Sequence, residues 1–230
     1  MRRSVRIALR LVLLLVFAVL AVPGYFIVRG VFFPPTFDVP SIAGTPAYQD
    51  AALLERAWAL PAASAYGRSL QWQDNGSTCG PASLANVQRS LGAPTTEDAV
   101  KDAGDVCSLG ICFGGLSLDE LAGVARAATG REVTVLRDLT LDQFRDELAR
   151  TNDPDVRYVI NFHRGLLFGK GTGHHSPIGG YLPDEDLVFV LDVNEKFGPW
   201  LVPTERLFRA MDEVDGSTDE KRGLLRIEPP

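Results

Sequence analysis

Gln73-Asp-Asn-Gly-Ser-Thr-Cys79-Gly-Pro-Ala-Ser-Leu-Ala-Asn86 is the stretch on which the reading of this chain turns. Asn75-Gly76 marks a turn, Ser77 and Thr78 are helix-capping residue types, and Pro81 suits an early helical position where a missing N–H costs little. Ala82 to Leu91 then reads as helix, with Leu84, Val87 and Leu91 on one apolar face and Gly92 as the stop. Cys79 is thereby placed at a loop-to-helix boundary, where unpaired N–H groups and the helix dipole favour a thiolate over a thiol. A thiolate is the nucleophilic form. Gln73, six positions earlier, offers an amide donor to an oxyanion formed beside the sulfur. The competing reading is a small buried apolar cysteine at a helix start, since free cysteine is among the most buried residue types.

Length and composition bound what this stretch belongs to. The 230 residues suit one ordinary domain plus an extra segment, and a 46% apolar fraction is ample for a core. A net charge of −6 argues against generic nucleic-acid binding. The extra segment is N-terminal: Arg2, Arg3, Arg6 and Arg10 precede Leu11 to Phe33, which is almost wholly apolar apart from Pro23-Gly24 and Arg29. A basic start before an apolar run is a secretory signal or a signal anchor, and Val19-Leu20-Ala21 has small residues at cleavage offsets. Ala8 to Val28 is also about the ~20 residues that cross a bilayer as a helix. The expectation is a membrane anchor and linker over residues 1–36, with a catalytic domain over 37–230. The arginines predict a cytoplasmic N-terminus and a domain outside the cytoplasm, periplasmic or extracellular, or secreted if the segment is cleaved.

The three cysteines fit an exported domain. Cys107 and Cys112 flank a short turn-like segment and can pair in an oxidising compartment, leaving Cys79 as the odd free thiol. Two nearby buried thiols would read the same way. The pair is too short and too unaccompanied for a structural zinc site, so no metal-ligand set is predicted.

Beyond a Pro- and Gly-containing linker over Phe37 to Thr45, helices are expected at Tyr48 to Leu60, at the Cys79 segment, and from Pro94 through Ala103. Ser117 to Glu120 has a capping-box pattern opening a helix to Thr129 with Gly130 as stop, and another helix runs from Thr140 to Arg150 after a strand at Glu132 to Arg137. Cys107 to Gly115 and Gly165 to Gly173 read as Gly-rich loops. Strands are expected at Val156 to Phe162, Ser176 to Tyr181, Leu187 to Val193 and Gly223 to Ile227, with a helix at Pro203 to Val214. Helices first and an antiparallel sheet second indicate an α+β domain.

A second group of residues falls at one edge of that sheet. His174 and His175 enter a strand after Gly171-Thr172-Gly173, and Asp192 ends the next strand. If the two strands pair through the turn at Pro183 to Asp186, a histidine and an aspartate meet where one strand starts and the other ends. A cysteine nucleophile needs that pair: a base for the thiol proton and a carboxylate to orient the base. Taken singly, the histidines are an exposed loop or a metal-ligand pair, and Asp192 is a turn residue. The order Gln73, Cys79, His174, Asp192 favours catalysis.

These residues resemble the catalytic domain of phytochelatin synthase. The resemblance is carried by Gln73-x5-Cys79-Gly-Pro-Ala-Ser83, by Phe162-His163-Arg164-Gly165 and by Val190-Leu-Asp192-Val193. Its most specific part is Gly171-Thr-Gly-His174-His-Ser-Pro-Ile-Gly-Gly-Tyr181. Phe113-Gly114, Pro199-Trp200-Leu-Val-Pro203 and Arg222-Gly-Leu-Leu225 look similar too, so it runs from about Gln71 to Ile227. The chain as printed stops at Pro230, which resembles the short bacterial-type catalytic domain. The Cys-Gly-Pro-Ala part is shared with double-glycine leader peptidases, and both families look papain-like.

The resemblance implies a papain-like cysteine protease fold and a glutathione γ-glutamylcysteinyltransferase activity. Cys79 would be the nucleophile, His174 the base and acid, Asp192 its orienter and Gln73 the oxyanion donor. Glycine would leave glutathione, or a similar γ-glutamyl peptide, and water or a second glutathione would take the acyl group. No cofactor is implied; Cd or Zn ions would act as thiolate complexes of the substrate. Where the family carries Ala-Arg-aromatic-Lys after its Asp-Val, this chain has Asn194-Glu195-Lys196-Phe197, so Arg164, Lys170 and Lys196 are the expected substrate-binding cations. Two alternatives stand beside this one: a papain-like peptidase acting on a peptide, and a non-catalytic thiol- or metal-binding domain.

Overall fold

Capping chemistry sets most of the helix starts. The computed structural model describes residues 7, 9–19, 21, 36–105, 107, 112 and 114–229. Helices are α1 (Ala51–Trp58), α2 (Pro61–Tyr66), α3 (Cys79–Ser90), α4 (Glu97–Gly104), α5 (Leu118–Thr129), α6 (Leu141–Arg150), α7 (Arg164–Phe168) and α8 (Thr204–Met211). Ser117 with Glu120, and Thr140 with Gln143, form reciprocal capping boxes at α5 and α6. Gly130 ends α5 at a φ of 62°, a left-handed backbone that glycine adopts without strain.

Six strands form one antiparallel sheet: β1 (Glu132–Leu136), β2 (Arg157–His163), β3 (Gly173–Leu182), β4 (Leu187–Leu191), β5 (Pro199–Pro203) and β8 (Gly223–Glu228). Their order is β1-β8-β2-β3-β4-β5, and β6 (Val214–Asp215) with β7 (Glu220–Lys221) makes a separate short hairpin. Both faces of the sheet are covered. Leu84 and Val87 of α3 and Leu121 and Val124 of α5 pack with Val159, Phe189, Leu191 and Leu225 on one side. Phe144 and Leu148 of α6 and Leu207 of α8 pack with Tyr158, Ile160, Phe162 and Trp200 on the other. Successive side chains of a strand go to opposite faces, so a strand buried on both sides reads as an unbroken apolar run. β4, Leu-Val-Phe-Val-Leu, is buried at every position.

The α+β expectation holds, and several boundaries move for local reasons. The helix expected over Tyr48 to Leu60 starts later, because Asp50 caps Leu53 N and the Tyr48 carbonyl accepts from Leu201 N in β5. Pro61 opens α2, which was not foreseen. The loop expected at Gly165 to Gly173 begins with α7, whose first turn is capped by His163 Nδ1 accepting from Gly165 N. β5 was also missed: prolines at both ends disguise it, and they are tolerated because it is an edge strand. The helix expected to reach Val214 ends at Met211, before the β6–β7 hairpin.

The bilayer-crossing helix expected over 8–28 is not found. Among the described residues no helix is long and apolar enough to cross a membrane. Residues 9–19 are helical with exposed apolar side chains such as Leu14 and Phe17. Eleven residues rise about 16 Å, roughly half a hydrocarbon core. The remaining positions of the expected span, 8, 20 and 22–28, lie outside the described residues.

Candidate active site

Cys79 is the first residue of α3, as its flanking sequence predicts. It packs against Ala82 and Val193, and it is a free thiol, while Cys107 and Cys112 form a disulfide. Ser83, one turn on, fixes the start of the helix to the sheet: its hydroxyl donates to the Cys79 carbonyl at 2.7 Å and to the His175 carbonyl at 3.2 Å. The preceding turn is braced from below. Glu97, 1% exposed, accepts from Asp74 N at 3.1 Å and pairs with Lys101 at 3.3 Å.

The β3–β4 pairing brings His174 and Asp192 together at the sheet edge. Their Nε2 and Oδ1 atoms are 3.1 Å apart. Asp192 is fully buried and saturated: Arg164 donates to Oδ1 at 2.7 Å, Asn194 N to Oδ1 at 2.9 Å and Trp200 Nε1 to Oδ2 at 3.0 Å. Burial alone would raise its pKa, yet His174 and Arg164 hold the carboxyl well below the usual carboxylate range. For His174, burial and Arg164 oppose protonation, and the charges of Asp192 and Cys79 outweigh them, so its pKa is raised above 6.5. Burial opposes the Cys79 thiolate as well, but His174 and then His175 pull its pKa well below the ordinary thiol value. These shifts favour a thiolate–imidazolium pair backed by an ionised carboxylate.

Both imidazoles reach the sulfur. The contact distance from Sγ to His175 Nδ1 is 3.9 Å. His174 exerts the larger electrostatic pull because Asp192 keeps it charged.

Gln73, the expected oxyanion donor, does not line the cavity that opens on Cys79 but is tied to Val193, which packs against Cys79. Its backbone N–H donates to Val193 O at 2.9 Å, and its Nε2 donates to Asn75 O at 2.7 Å. An amide NH2 has two hydrogens, so one remains for a substrate oxygen.

The three expected substrate-binding cations lie elsewhere. Arg164 is buried against Asp192, with its guanidinium 4.0 Å from the centroid of the Phe197 ring. Lys170 and Lys196 are exposed, and neither borders the cavity that opens on Cys79. That cavity, about 510 Å³, is lined by His163, His175, Asp215, Ser217 and Arg222 among others. Arg222 was not singled out from the sequence as a site residue. Its guanidinium donates to Asn161 Oδ1 at 2.8 Å and Asp215 Oδ2 at 2.9 Å, and its Nε is buried with no partner among the described residues. The only sequence signal was its place in the Arg222-Gly-Leu-Leu225 segment.

A family model described as phytochelatin synthase matches residues 47–224, a span that holds Gln73, Cys79, His174, Asp192 and Arg222. The chain belongs to the phytochelatin synthase family. Among curated relatives, "Glutathione gamma-glutamylcysteinyltransferase 1" of Arabidopsis thaliana is 36% identical over 120 residues, 50% of this chain and 24% of that protein. The protein of the same name from Triticum aestivum is 33% identical over 173 residues, 68% of this chain and 33% of that protein. The matched stretch thus spans a quarter to a third of these relatives' length. Among solved structures, a C39-like peptidase from Bacillus anthracis aligns with a TM-score of 0.51 at 12% identity, covering 72% of this chain and 96% of that one. This likeness is one of fold and agrees with the expected papain-like architecture.

Proposed function

We propose that this protein is a cysteine acyltransferase or hydrolase of glutathione-like γ-glutamyl peptides. The observation that carries the reading is the Cys79 thiol at the head of α3, beside His174, whose imidazolium is held by the fully buried Asp192. In the first half-reaction the thiolate attacks the carbonyl of the Cys–Gly amide. The α3 N-terminus and the remaining Gln73 amide hydrogen face the oxyanion. His174 gives its proton to the departing glycine amine, the C–N bond breaks, and a thioester is left on Cys79. Water then yields γ-glutamylcysteine, or the amine of a second peptide yields a longer one. Metal ions such as Cd²⁺ enter as thiolate complexes of the substrate. In place of Arg164, Lys170 and Lys196, Arg222 offers the cation for a substrate carboxylate, since it borders the cavity with an unpartnered Nε.

Export, with or without a membrane tether, is part of the same proposal. It is supported by the arginine-flanked apolar N-terminus and by the Cys107–Cys112 disulfide, which an oxidising compartment maintains. The test of the activity is mass spectrometry of full-length protein incubated with glutathione, with and without Cd²⁺, beside Cys79→Ala. Glycine and γ-glutamylcysteine, or longer peptides, are expected from the parent and not from the variant. Turnover by Cys79→Ala rules out the covalent route. No product from a folded parent with a reactive Cys79 rules out glutathione and points to cleavage of a larger peptide.

A further inference from the structure

His174 and His175 are neighbours at the start of β3 and both act on the Cys79 sulfur, yet their other surroundings differ. His174 packs edge-on to Phe162, bonds Asp192, and does not border the cavity. His175 turns to the helix of the nucleophile. Its carbonyl accepts from Ser83, its Nδ1 lies 3.9 Å from the Cys79 sulfur, and it lines the cavity. The residue is 3% exposed, and its Nε2 is buried with no hydrogen-bond partner among the described residues. Buried polar atoms in folded proteins are nearly always paired, and this nitrogen, like Arg222 Nε, is an unpartnered one on a residue that lines the cavity.

We infer that His175 is a second catalytic imidazole of the Cys79 site, serving the acceptor half of the reaction. The inference rests on the acyl-enzyme reading above. In the tautomer that donates from Nδ1 to the thiolate, the lone pair is on Nε2. Nε2 is the unpartnered nitrogen. Water entering through the cavity gives a proton to Nε2 as its oxygen attacks the thioester carbonyl. Taking that proton makes His175 an imidazolium; its Nδ1 proton passes to the sulfur as the C–S bond breaks and from the sulfur to His174, which gave its own to the leaving amine, so the starting thiolate–imidazolium pair is restored. His174, held by Asp192, serves the leaving amine in acylation; His175, which lines the cavity, serves the water in deacylation.

The two halves separate kinetically. Full-length protein and His175→Phe are mixed with glutathione, and glycine release in the first turnover is compared with steady-state product formation. For the variant, a first-turnover release within a few-fold of the parent is expected, with a steady-state rate about 100-fold lower. The thioester should then accumulate on Cys79 by mass, and added imidazole should raise the steady-state rate of His175→Ala. Parallel loss of both phases without an adduct, or an unchanged steady state, overturns the assignment. Unaltered thermal unfolding shows that the variant is folded; if it is not, His175→Gln, which keeps the volume and hydrogen bonding, carries the same comparison. A parent that releases no glycine sinks the acyl-enzyme reading and this inference with it. A parent that turns over beside a His175→Phe that deacylates normally sinks only the inference.

Discussion

At the scale of single residues, the sulfur of Cys79 and the two groups behind it set the pH behaviour. Cys79 has a lowered pKa and His174 a raised one, and both shifts favour coexistence of thiolate and imidazolium. Acylation should fall at low pH, as the thiolate protonates. It should fall again as pH rises through the raised His174 value, which removes the proton meant for the leaving amine. Alkylation by iodoacetamide needs only the thiolate, so in the parent its rate should stay high well below the free-thiol pKa of about 8.5. Asp192→Asn removes the charge that raises the His174 pKa and should reverse this. Alkylation at neutral pH should then drop and climb only toward pH ~8.5, and turnover should fall by about 100-fold or more. An Asp192→Asn profile that overlays the parent would show that the carboxylate does not hold the pair. The meeting of Cys79, His174 and Asp192 was legible because each sits in a local pattern: Cys79 at a helix start, His174 at a strand entry, Asp192 at a strand end. Arg222 was not, because its position on the cavity depends on β8 pairing with β2, some sixty residues earlier in the chain. Arg164 was misplaced for the same kind of reason: a positive charge reads as substrate-binding until the buried carboxylate it neutralises comes into view.

At the scale of elements, the site depends on the register of β3 against β4. Ile178 pairs with Val190 and Gly180 with Phe189, so Gly179 is the extra residue of a bulge. The Gly179-Gly180 pair in the sequence is explained by crowding on both sides. A Cβ on Gly179 would stand 2.7 Å from Phe189 and 3.0 Å from Leu191, and one on Gly180 would stand 2.5 Å from Leu60 and 2.9 Å from Asn152. A bulge re-aims the residues before it, here His174 to Ser176. Gly179→Ala should therefore cost about 1–3 kcal/mol by overpacking, read from urea unfolding. It should also lower turnover more than a stability loss of that size explains, because the His174–Asp192 contact shifts. A variant as stable and as active as the parent would show that the bulge has no bearing on the site. Elements with strong capping grammar, α5 and α6, were readable almost to the residue. β5 and α7 were not, since one is framed by prolines and the other is a five-residue turn among glycines.

At the scale of the whole molecule, helices cover one face of the sheet and present Cys79 at its edge, and the family match spans that unit as far as the start of β8. The apolar periodicity of the chain announced both helices and strands, but not that the sheet is covered on its second face by α6 and α8. The reading of this domain as exported makes a thiol count decisive. Denatured without reductant, the protein isolated from its native compartment should show one reactive thiol per chain, that of Cys79, and three after reduction. Three thiols before reduction would remove the disulfide as support for an oxidising location.

The central claim is that Cys79 carries the acyl group. Its most direct test is to quench full-length protein with acid during turnover of glutathione and to map the adduct by peptide mass spectrometry. The account predicts a γ-glutamylcysteinyl thioester on the Cys79 peptide, released by hydroxylamine and absent from Cys79→Ala. Product formation with an unmodified Cys79 peptide, or with the acyl group on another residue, would contradict it.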